Sequence, residues 1–294
     1  MTGPVILALP GSEAFGEALR AHVFGEPGGL DHRQFPDGET YLRIMSEVAD
    51  RDVVLVSSLD RPDPKLLPLL FAADTLREMG ARKIGLVAPY LAYMRQDIRF
   101  HPGEAVTSRS FATVLSHHLD WLVTVDPHLH RYHALGDVYR IPSRVVHAAP
   151  LMADWIRENV SRPVIIGPDK ESEQWVAQVA AGADAPFLVC EKERSGDREV
   201  RISIPRAENL ADRQPVLVDD IASSGRTLAV AAKQLVDMGF APPDCVVVHP
   251  LFAGDAAQAL SGLARRIVST NTIVHATNGI DVVGPVAEAV QALL

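Results

Sequence analysis

The sequence predicts an α/β protein built from parallel sheets covered by helices and laid out as two copies of one plan. Three observations predict it. Short, apolar, β-branched-rich runs recur along the chain, as expected of strands buried on both faces. Helical patterns lie between them, and that alternation argues for parallel sheets. Two stretches also match each other in order. Ala72–Gly80 reads AADTLREMG and Ala231–Gly239 reads AAKQLVDMG. Each follows an apolar strand candidate (VVLVSS, Val53–Ser58; PVLVDD, Pro215–Asp220), and each precedes one ending in proline (IGLVAP, Ile84–Pro89; CVVVHP, Cys245–Pro250). Strand, loop, helix, Met-Gly, strand and Pro in the same order favour a duplicated βαβ unit.

Taken along the chain, the first strand candidate is Val5–Leu9. The opening MTGPVILALPGSEAFG has no basic leader and reads as a buried strand rather than a signal peptide. Further strands are expected at Trp121–Val125, Val164–Gly167 and Phe187–Val189, with helices at Ser108–Leu119, Met152–Val160 and Ser172–Ala181. A boundary near Pro142–Pro150 divides an N-terminal domain, 1–146, from a C-terminal one, 147–294. The final helix, Val286–Leu294, suits packing on either.

Composition excludes several classes. With 47% hydrophobic residues over 294 positions the chain can bury a sizeable core. A net charge of −9 argues against a general nucleic-acid surface, whose affinity rests on neutralising phosphates. No apolar run approaches the roughly 20 residues of a membrane span. Only Cys190 and Cys245 occur, which implies no disulfide framework and a reducing, cytoplasmic setting.

The segment richest in chemistry is PVLVDDIASSGRTLAVAAKQLVDMG, Pro215–Gly239. A strand leads to two adjacent acids, Asp219 and Asp220, then to the small-residue turn Ser223-Ser224-Gly225-Arg226-Thr227, then to a helix stopping at Gly239. Turn N–H groups and hydroxyls can converge on an anionic oxygen, with the positive end of the helix behind them. The acids suit sugar hydroxyls or a hydrated Mg²⁺. The first copy has Ser57-Ser58 in place of the acids and Arg61-Pro62-Asp63-Pro64 in place of the turn, so only the second half keeps a phosphate loop.

Weaker motifs fall on the same side. Phe35-Pro36-Asp37-Gly38-Glu39 reads alone as a hairpin turn before TYLRI. Arg95 and Gln96, in YLAYMRQ, could hold a planar base or a phosphate by forked hydrogen bonds, or form a polar surface pair. Asp126, His128 and His130 follow a strand end and would point one way if extended. An imidazole in an anion pocket suits them better than zinc, because no cysteine or further carboxylate completes a zinc set. Asp169, in GPDK, is an N-cap or a metal ligand. Lys192 and Arg194 alternate in the charged EKERSGDREV, a solvated hairpin tip or a mobile loop. All of these follow apolar strands, and open parallel sheets bind ligands at the carboxyl ends of their strands.

Six landmarks in order, FPDGE, YMRQD, DPH, GPD, KER and VDDIASSGRT, make the chain resemble the ribose-phosphate diphosphokinases (phosphoribosyl pyrophosphate synthetases) over nearly its whole length. RFHPGEAVTSR, Arg99–Arg109, looks like the shorter archaeal form. The resemblance implies two tandem type I phosphoribosyltransferase-like domains with the active site between them. It implies Mg²⁺-dependent conversion of ATP and ribose 5-phosphate to phosphoribosyl pyrophosphate and AMP, in a homo-oligomer whose ATP site lies near a subunit interface. On its terms Phe35, Asp37, Gly38, Glu39, Arg95 and Gln96 bind ATP. His128 and Asp169 lie at the Mg–triphosphate. Lys192, Arg194 and His128 are catalytic. Arg194, Asp219, Asp220 and Ser223, Ser224, Gly225, Arg226 and Thr227 hold ribose 5-phosphate.

The chain departs from the family at two places. Lys170-Glu171-Ser172-Glu173 stands where many members have a Gly-Gly turn, and Arg226 stands where a small residue is usual. These leave open the nucleotide donor and regulation by phosphate or ADP. A phosphoribosyltransferase and a non-catalytic regulator of a synthetase are the alternatives. A transferase needs only one such domain, and a regulator would be expected to lose the loop cations or the ribose acids.

Overall fold

A computed structural model describes residues 3–129, 131–195, 199–203, 210 and 212–294. The chain folds into two compact units, Met1–Val146 with Val282–Leu294, and His147–Asp281.

The first unit begins with β1 (Val5–Ala8), α1 (Glu13–His22) and β2 (Glu26–Pro27). β3 (Leu30–Gln34) and β4 (Thr40–Ile44) form an antiparallel hairpin. The βαβ run β5 (Asp52–Val56), α2 (Pro62–Glu78) and β6 (Lys83–Ala88) follows, then α3 (Thr107–His118), β7 (Trp121–Val125) and β8 (Ser143–Val146). Six strands make one sheet in the order β2-β1-β5-β6-β7-β8, parallel throughout.

The second unit contains α4 (Ala149–Asn159), β9 (Pro163–Gly167), α5 (Glu173–Gly182) and β10 (Phe187–Val189). β11 (Glu191–Ser195) and β12 (Glu199–Ser203) pair antiparallel. Then come β13 (Gln214–Ala222), α6 (Arg226–Asp237), β14 (Asp244–Pro250), α7 (Ala256–Ser261), β15 (Arg266–Thr270) and β16 (Asn278–Ile280). Its sheet runs β10-β9-β13-β14-β15-β16, again all parallel. The last helix, α8 (Val283–Gln291), packs on α1, β7 and β8 of the first unit.

The two sheets repeat one strand order, and the repeat extends to single hydrogen bonds. Ala72, Ala73 and Leu76 of α2 are buried, as are Ala231, Ala232 and Leu235 of α6. The small Ala pair in each lets its helix lie close on the sheet. Both helices end on Met-Gly with matching caps. Gly80 N donates to Arg77 O (3.1 Å) and Ala81 N to Leu76 O (3.0 Å), while Gly239 N donates to Val236 O (3.0 Å) and Phe240 N to Leu235 O (3.0 Å). Such closing bonds satisfy carbonyls that the end of a helix would leave orphaned.

Strand burial explains the apolar runs. Every residue of β5, β7 and β14 is buried. The buried Asp244 opens β14 and is held by Arg265 Nε (2.9 Å) and Arg266 Nε (2.9 Å), at the end of the strand away from the ligand side. Cys190 and Cys245 are buried free thiols, and burial pushes both up to about 12.

Gly85 of β6 lies under the indole of Trp121 on the neighbouring β7, and a Cβ there would fall inside the ring. Backbone of the strand cannot move aside while both ladders hold. Gly85→Ala is therefore expected to cost about 3 kcal/mol, read as a lower urea midpoint, with partial recovery when Trp121→Leu is added. An unchanged midpoint would refute this contact.

Candidate functional site

In the second unit the order of strands reverses between β9 and β13, the switch point where open α/β sheets bind ligands. Both strands deliver acids there. β13 does not stop at the acids, as a strand ending at Asp220 would. It runs on to Ala222 because β14 continues beside it, with Ile221 opposite His249 and Ala222 opposite Pro250. Asp219 and Asp220 thus sit in the ladder itself, half-buried, and Asp220 N donates to Asp219 Oδ1 (3.0 Å). From β9, Asp169 caps the short turn Lys170–Ser172. Its carboxylate accepts from Ser172 N (3.3 Å), and Ser172 Oγ donates to its carbonyl (2.6 Å). The cap reading of Asp169 is what the geometry displays, and the residue remains close enough to Asp219 to act on its charge.

That proximity has a measurable effect. Burial pushes the Asp219 carboxyl well above the usual carboxylate range, and the charges of Asp220 and then Asp169 push it further. A side-chain hydrogen bond with Asp220 acts in the same direction, while the bond from Asp220 N opposes it.

After β13 the turn delivers α6. Gly225 is its N-cap, at φ +64°, a left-handed conformation that favours glycine. A Cβ at Gly225 would meet Ala256 Cβ at 3.3 Å, so both backbone and space favour glycine there. Gly225 has no side chain to cap α6, and the first N–H groups of a helix have no intrahelical acceptor. Ser224, Arg226 and Thr227 are exposed and Ser223 is half-buried. Arg226 stands on the first helical residue, where a cation opposes the helix dipole. An anion bound at this turn would reverse that penalty.

The carbonyls of the turn face the other way. Phe252 N donates to Ala222 O (2.8 Å) and Ala253 N to Ser223 O (2.8 Å). With these two carbonyls engaged from behind, the N–H groups at the start of α6 are left on the opposite side.

The first unit's equivalent position, between β1 and β5, is closed on itself. Ser58 N donates to the buried Ser12 Oγ (3.0 Å), and Lys65 Nζ donates to Ser58 O (2.7 Å). Pro62 and Pro64 also remove N–H groups from the first turn of α2.

Other sequence-predicted residues of this unit occupy two places. Phe35–Glu39 closes the β3–β4 hairpin, with Phe35 N donating to Glu39 O (2.8 Å), Gly38 N to Phe35 O (2.9 Å) and Glu39 N to Asp37 Oδ1 (3.2 Å). The Arg33 guanidinium lies 5.2 Å from the Phe35 ring centroid and 4.3 Å from that of Tyr41. Arg95 and Gln96 follow β6, Arg95 being exposed. Gln96 is tied to the start of α3, its carbonyl accepting from Ser108 N (3.3 Å) and its Oε1 from Thr107 Oγ1 (3.3 Å). The neighbouring Asp97 is buried and accepts from Arg131 Nη1 (2.8 Å), a pair that sequence reasoning missed. Its signal was a single acid beside Arg95-Gln96, indistinguishable from surface charge.

The segment after β7 corrects an expectation. Asp126 (φ +31°) and His128 (φ +55°) are not extended, and His128 N donates to Asp126 O (2.9 Å). The period-2 argument for a common direction therefore fails. His130 lies outside the described residues. Among the described residues no group of three or more His, Cys, Asp or Glu forms a metal cage. Lys192 and Arg194 fall on β11, where they pair with Ile202 and Val200 of β12. Their side chains lie outside the described residues.

The Asp219 shift has a defined sign. Its folded value is raised, so between the ordinary 3.8 and that raised value the folded protein holds a proton the unfolded chain has lost. In Mg²⁺-free buffer, stability is expected to fall as pH rises through this window, by up to about 1.4 kcal/mol per pH unit for one group. Thermal unfolding of the wild type and Asp219→Asn from pH 5 to 8 checks this. The variant should lose the slope, and an unaltered slope would count against the shift.

Comparison with known proteins agrees with this architecture. Residues 5–118 match the N-terminal domain of ribose phosphate pyrophosphokinase, and residues 134–275 match the phosphoribosyl transferase domain. A ribose-phosphate pyrophosphokinase of Saccharolobus solfataricus is 34% identical over 83% of this chain and 84% of its own length. One from Methanopyrus kandleri is 34% identical over 98% of this chain and 99% of its own. The crystal structure of phosphoribosylpyrophosphate synthetase from Mycobacterium smegmatis superposes with a TM-score of 0.86 at 22% identity, covering 99% of this chain and 98% of that one, a likeness of fold. With acids and a glycine-started turn at the switch point of the second sheet, and relatives matched over nearly their whole length, this chain belongs to the ribose-phosphate pyrophosphokinase family.

Proposed function

We propose that this chain transfers the β,γ-diphosphoryl group of ATP to the anomeric oxygen of ribose 5-phosphate, making phosphoribosyl pyrophosphate and AMP. The observation that carries the reading is the run from Asp219 to Thr227. There two acids lead into a turn at whose start the carbonyls of Ala222 and Ser223 are tied back and whose N-cap is a glycine, without a side chain to cap the helix. Ser223, Ser224, Gly225, Arg226 and Thr227 hold the 5-phosphate by backbone N–H groups, hydroxyls and the helix dipole. Asp219 and Asp220 take the ribose hydroxyls.

In the reaction the anomeric oxygen bonds to the β-phosphorus. The bond from that phosphorus to the α,β-bridging oxygen breaks, its electron pair leaves with AMP, and the hydroxyl proton is released. Catalysis of such transfers is mostly positioning and stabilisation of charge on the moving oxygens. Lys192 and Arg194 supply cations to those oxygens. Phe35, Asp37, Gly38 and Glu39, on the hairpin, and Arg95 and Gln96 bind ATP. The hairpin residues serve a neighbouring copy of the chain in a homo-oligomer.

Mg²⁺ is the cation that suits the donors. The acids offer hard oxygen ligands, and their mutual repulsion is relieved by positive charge. Asp169 and His128 are the ion's nearest protein contacts in this reading. When bound, the ion neutralises charge on the triphosphate. Among the described residues no helix is long and apolar enough to cross a membrane. Two buried free cysteines suit a reducing cytoplasm. A phosphoribosyltransferase would use residues 219–227 in the same way but leaves residues 5–118 without a task.

Product analysis tests the reaction. Purified protein with ATP, ribose 5-phosphate and Mg²⁺ should give AMP and phosphoribosyl pyrophosphate in equal amounts by phosphorus NMR, and failure to form AMP with any nucleotide would refute it. Lys192→Ala is expected to lower kcat by about 10²–10³-fold while ribose 5-phosphate still binds. Intact turnover with lost binding would remove Lys192 from this role.

A further inference from the structure

We propose that Phe252, backed by His275, is a positioning residue that holds the phosphate turn in its donor-presenting form. The inference rests on the reading of Ser223–Thr227 as the 5-phosphate site. It concerns a segment that never touches the substrate in that reading.

The ladder between β13 and β14 does not end with the two strands. Leu251 N donates to His249 O (3.0 Å), turning the chain after Pro250. The next two N–H groups, of Phe252 and Ala253, then take the carbonyls of Ala222 and Ser223, each at 2.8 Å. These are the two carbonyls that, left loose, could rotate towards a bound phosphate and repel it. Holding them requires Phe252 at φ +35°, a left-handed conformation that a bulky residue adopts only when its surroundings compel it.

The compulsion comes from the ring. Phe252 is buried and its ring centroid lies 5.0 Å from that of His275, tilted by 37°. His275 is itself fixed on three sides. Its N donates to Asn278 Oδ1 (3.0 Å), and its Nδ1 meets Thr277 Oγ1 (2.8 Å) and accepts from Thr277 N (3.2 Å). Asn278 Nδ2 in turn donates to Thr270 O (2.6 Å) and Ser269 Oγ (3.0 Å) at the end of β15. A line of packed and hydrogen-bonded groups thus runs from β15 through His275 and Phe252 to the back of the phosphate turn. The start of α7 completes the support, since Ala256 faces the Gly225 position.

Steady-state kinetics and calorimetric titration of ribose 5-phosphate without ATP test this in the full-length enzyme. Phe252→Ala should raise the KM and Kd for ribose 5-phosphate about tenfold, with kcat within about twofold and the KM for ATP unchanged. His275→Ala should shift the same two constants about threefold, and His275→Phe, which keeps a ring against Phe252, should restore them. Phe252→Gly separates ring from strain. It accepts φ +35° freely, so it should match Phe252→Ala in KM while melting at a higher temperature. If Phe252→Ala fails to fold, Phe252→Gly and His275→Ala carry the test. A role in stability alone would lower Tm and leave the split between the two substrates unmoved, and that result overturns the proposal. Thr227→Ala serves as the reference. If it raises the ribose 5-phosphate KM while the Phe252 and His275 variants do not, this proposal alone falls. If none of them does, the reading of the turn as a phosphate site falls with it.

Discussion

Two carboxylates on consecutive residues of a parallel strand, with a third one strand away, set the terms at the ligand end of the second sheet. Neither the charge nor the burial of Asp219 is favourable by itself. Both are imposed by the ladder to β14, which places Asp219 opposite Val247 and continues beyond Asp220 to Pro250. The raised Asp219 carboxyl is the outcome, with burial as the larger cause and the charges of Asp220 and Asp169 behind it. A strand serving stability alone would carry apolar residues here, as Val216, Leu217 and Val218 do just before. The acids make sense as a prepared partner for hydroxyls and cations, at the expense of a site that is strained without them.

The turn that follows shows the same preparation with opposite sign. Donors are gathered at Gly225–Thr227, and an arginine is added where the helix dipole already is positive. An acidic patch and a cationic turn, three residues apart, are each disfavoured by their own kind of charge. A sugar carrying hydroxyls at one end and a phosphate at the other satisfies both. This polarity, more than either half of it, distinguishes the segment from an ordinary strand-to-helix turn.

Much of this was legible in the sequence because it rests on local chemistry. Strands buried on both faces announce themselves as continuous apolar runs, so β7 falls where its run does. The Met-Gly ends of α2 and α6 were readable because a helix stop depends on a few adjacent residues. The polar strand β3, LDHRQ, lacks periodicity because it packs little, and only the turn at Phe35–Glu39 hinted at a hairpin. The positive φ at Asp126 and His128 was invisible because nothing local demands it, and that misdirected the expected alignment of their side chains. The Asp97–Arg131 pair and the contact of Phe252 with His275 join residues far apart in sequence, where spacing carries no information.

The comparison of the two switch points explains how one plan yields two different turns. The sheets share strand order, and the βαβ units share helix contacts and helix caps. The difference lies in what satisfies the backbone between strand and helix. In the first unit Ser12 Oγ takes the N–H of Ser58, Lys65 takes its carbonyl, and prolines stand where a phosphate would need donors. In the second, glycine replaces the prolines, and a separate segment, Phe252–Ala253, takes the carbonyls while leaving the helix end uncapped. A turn that presents donors is therefore not produced by the scaffold or by the small residues alone. It requires that the groups of wrong polarity be occupied from behind, which is why support for the site extends as far as the end of β15.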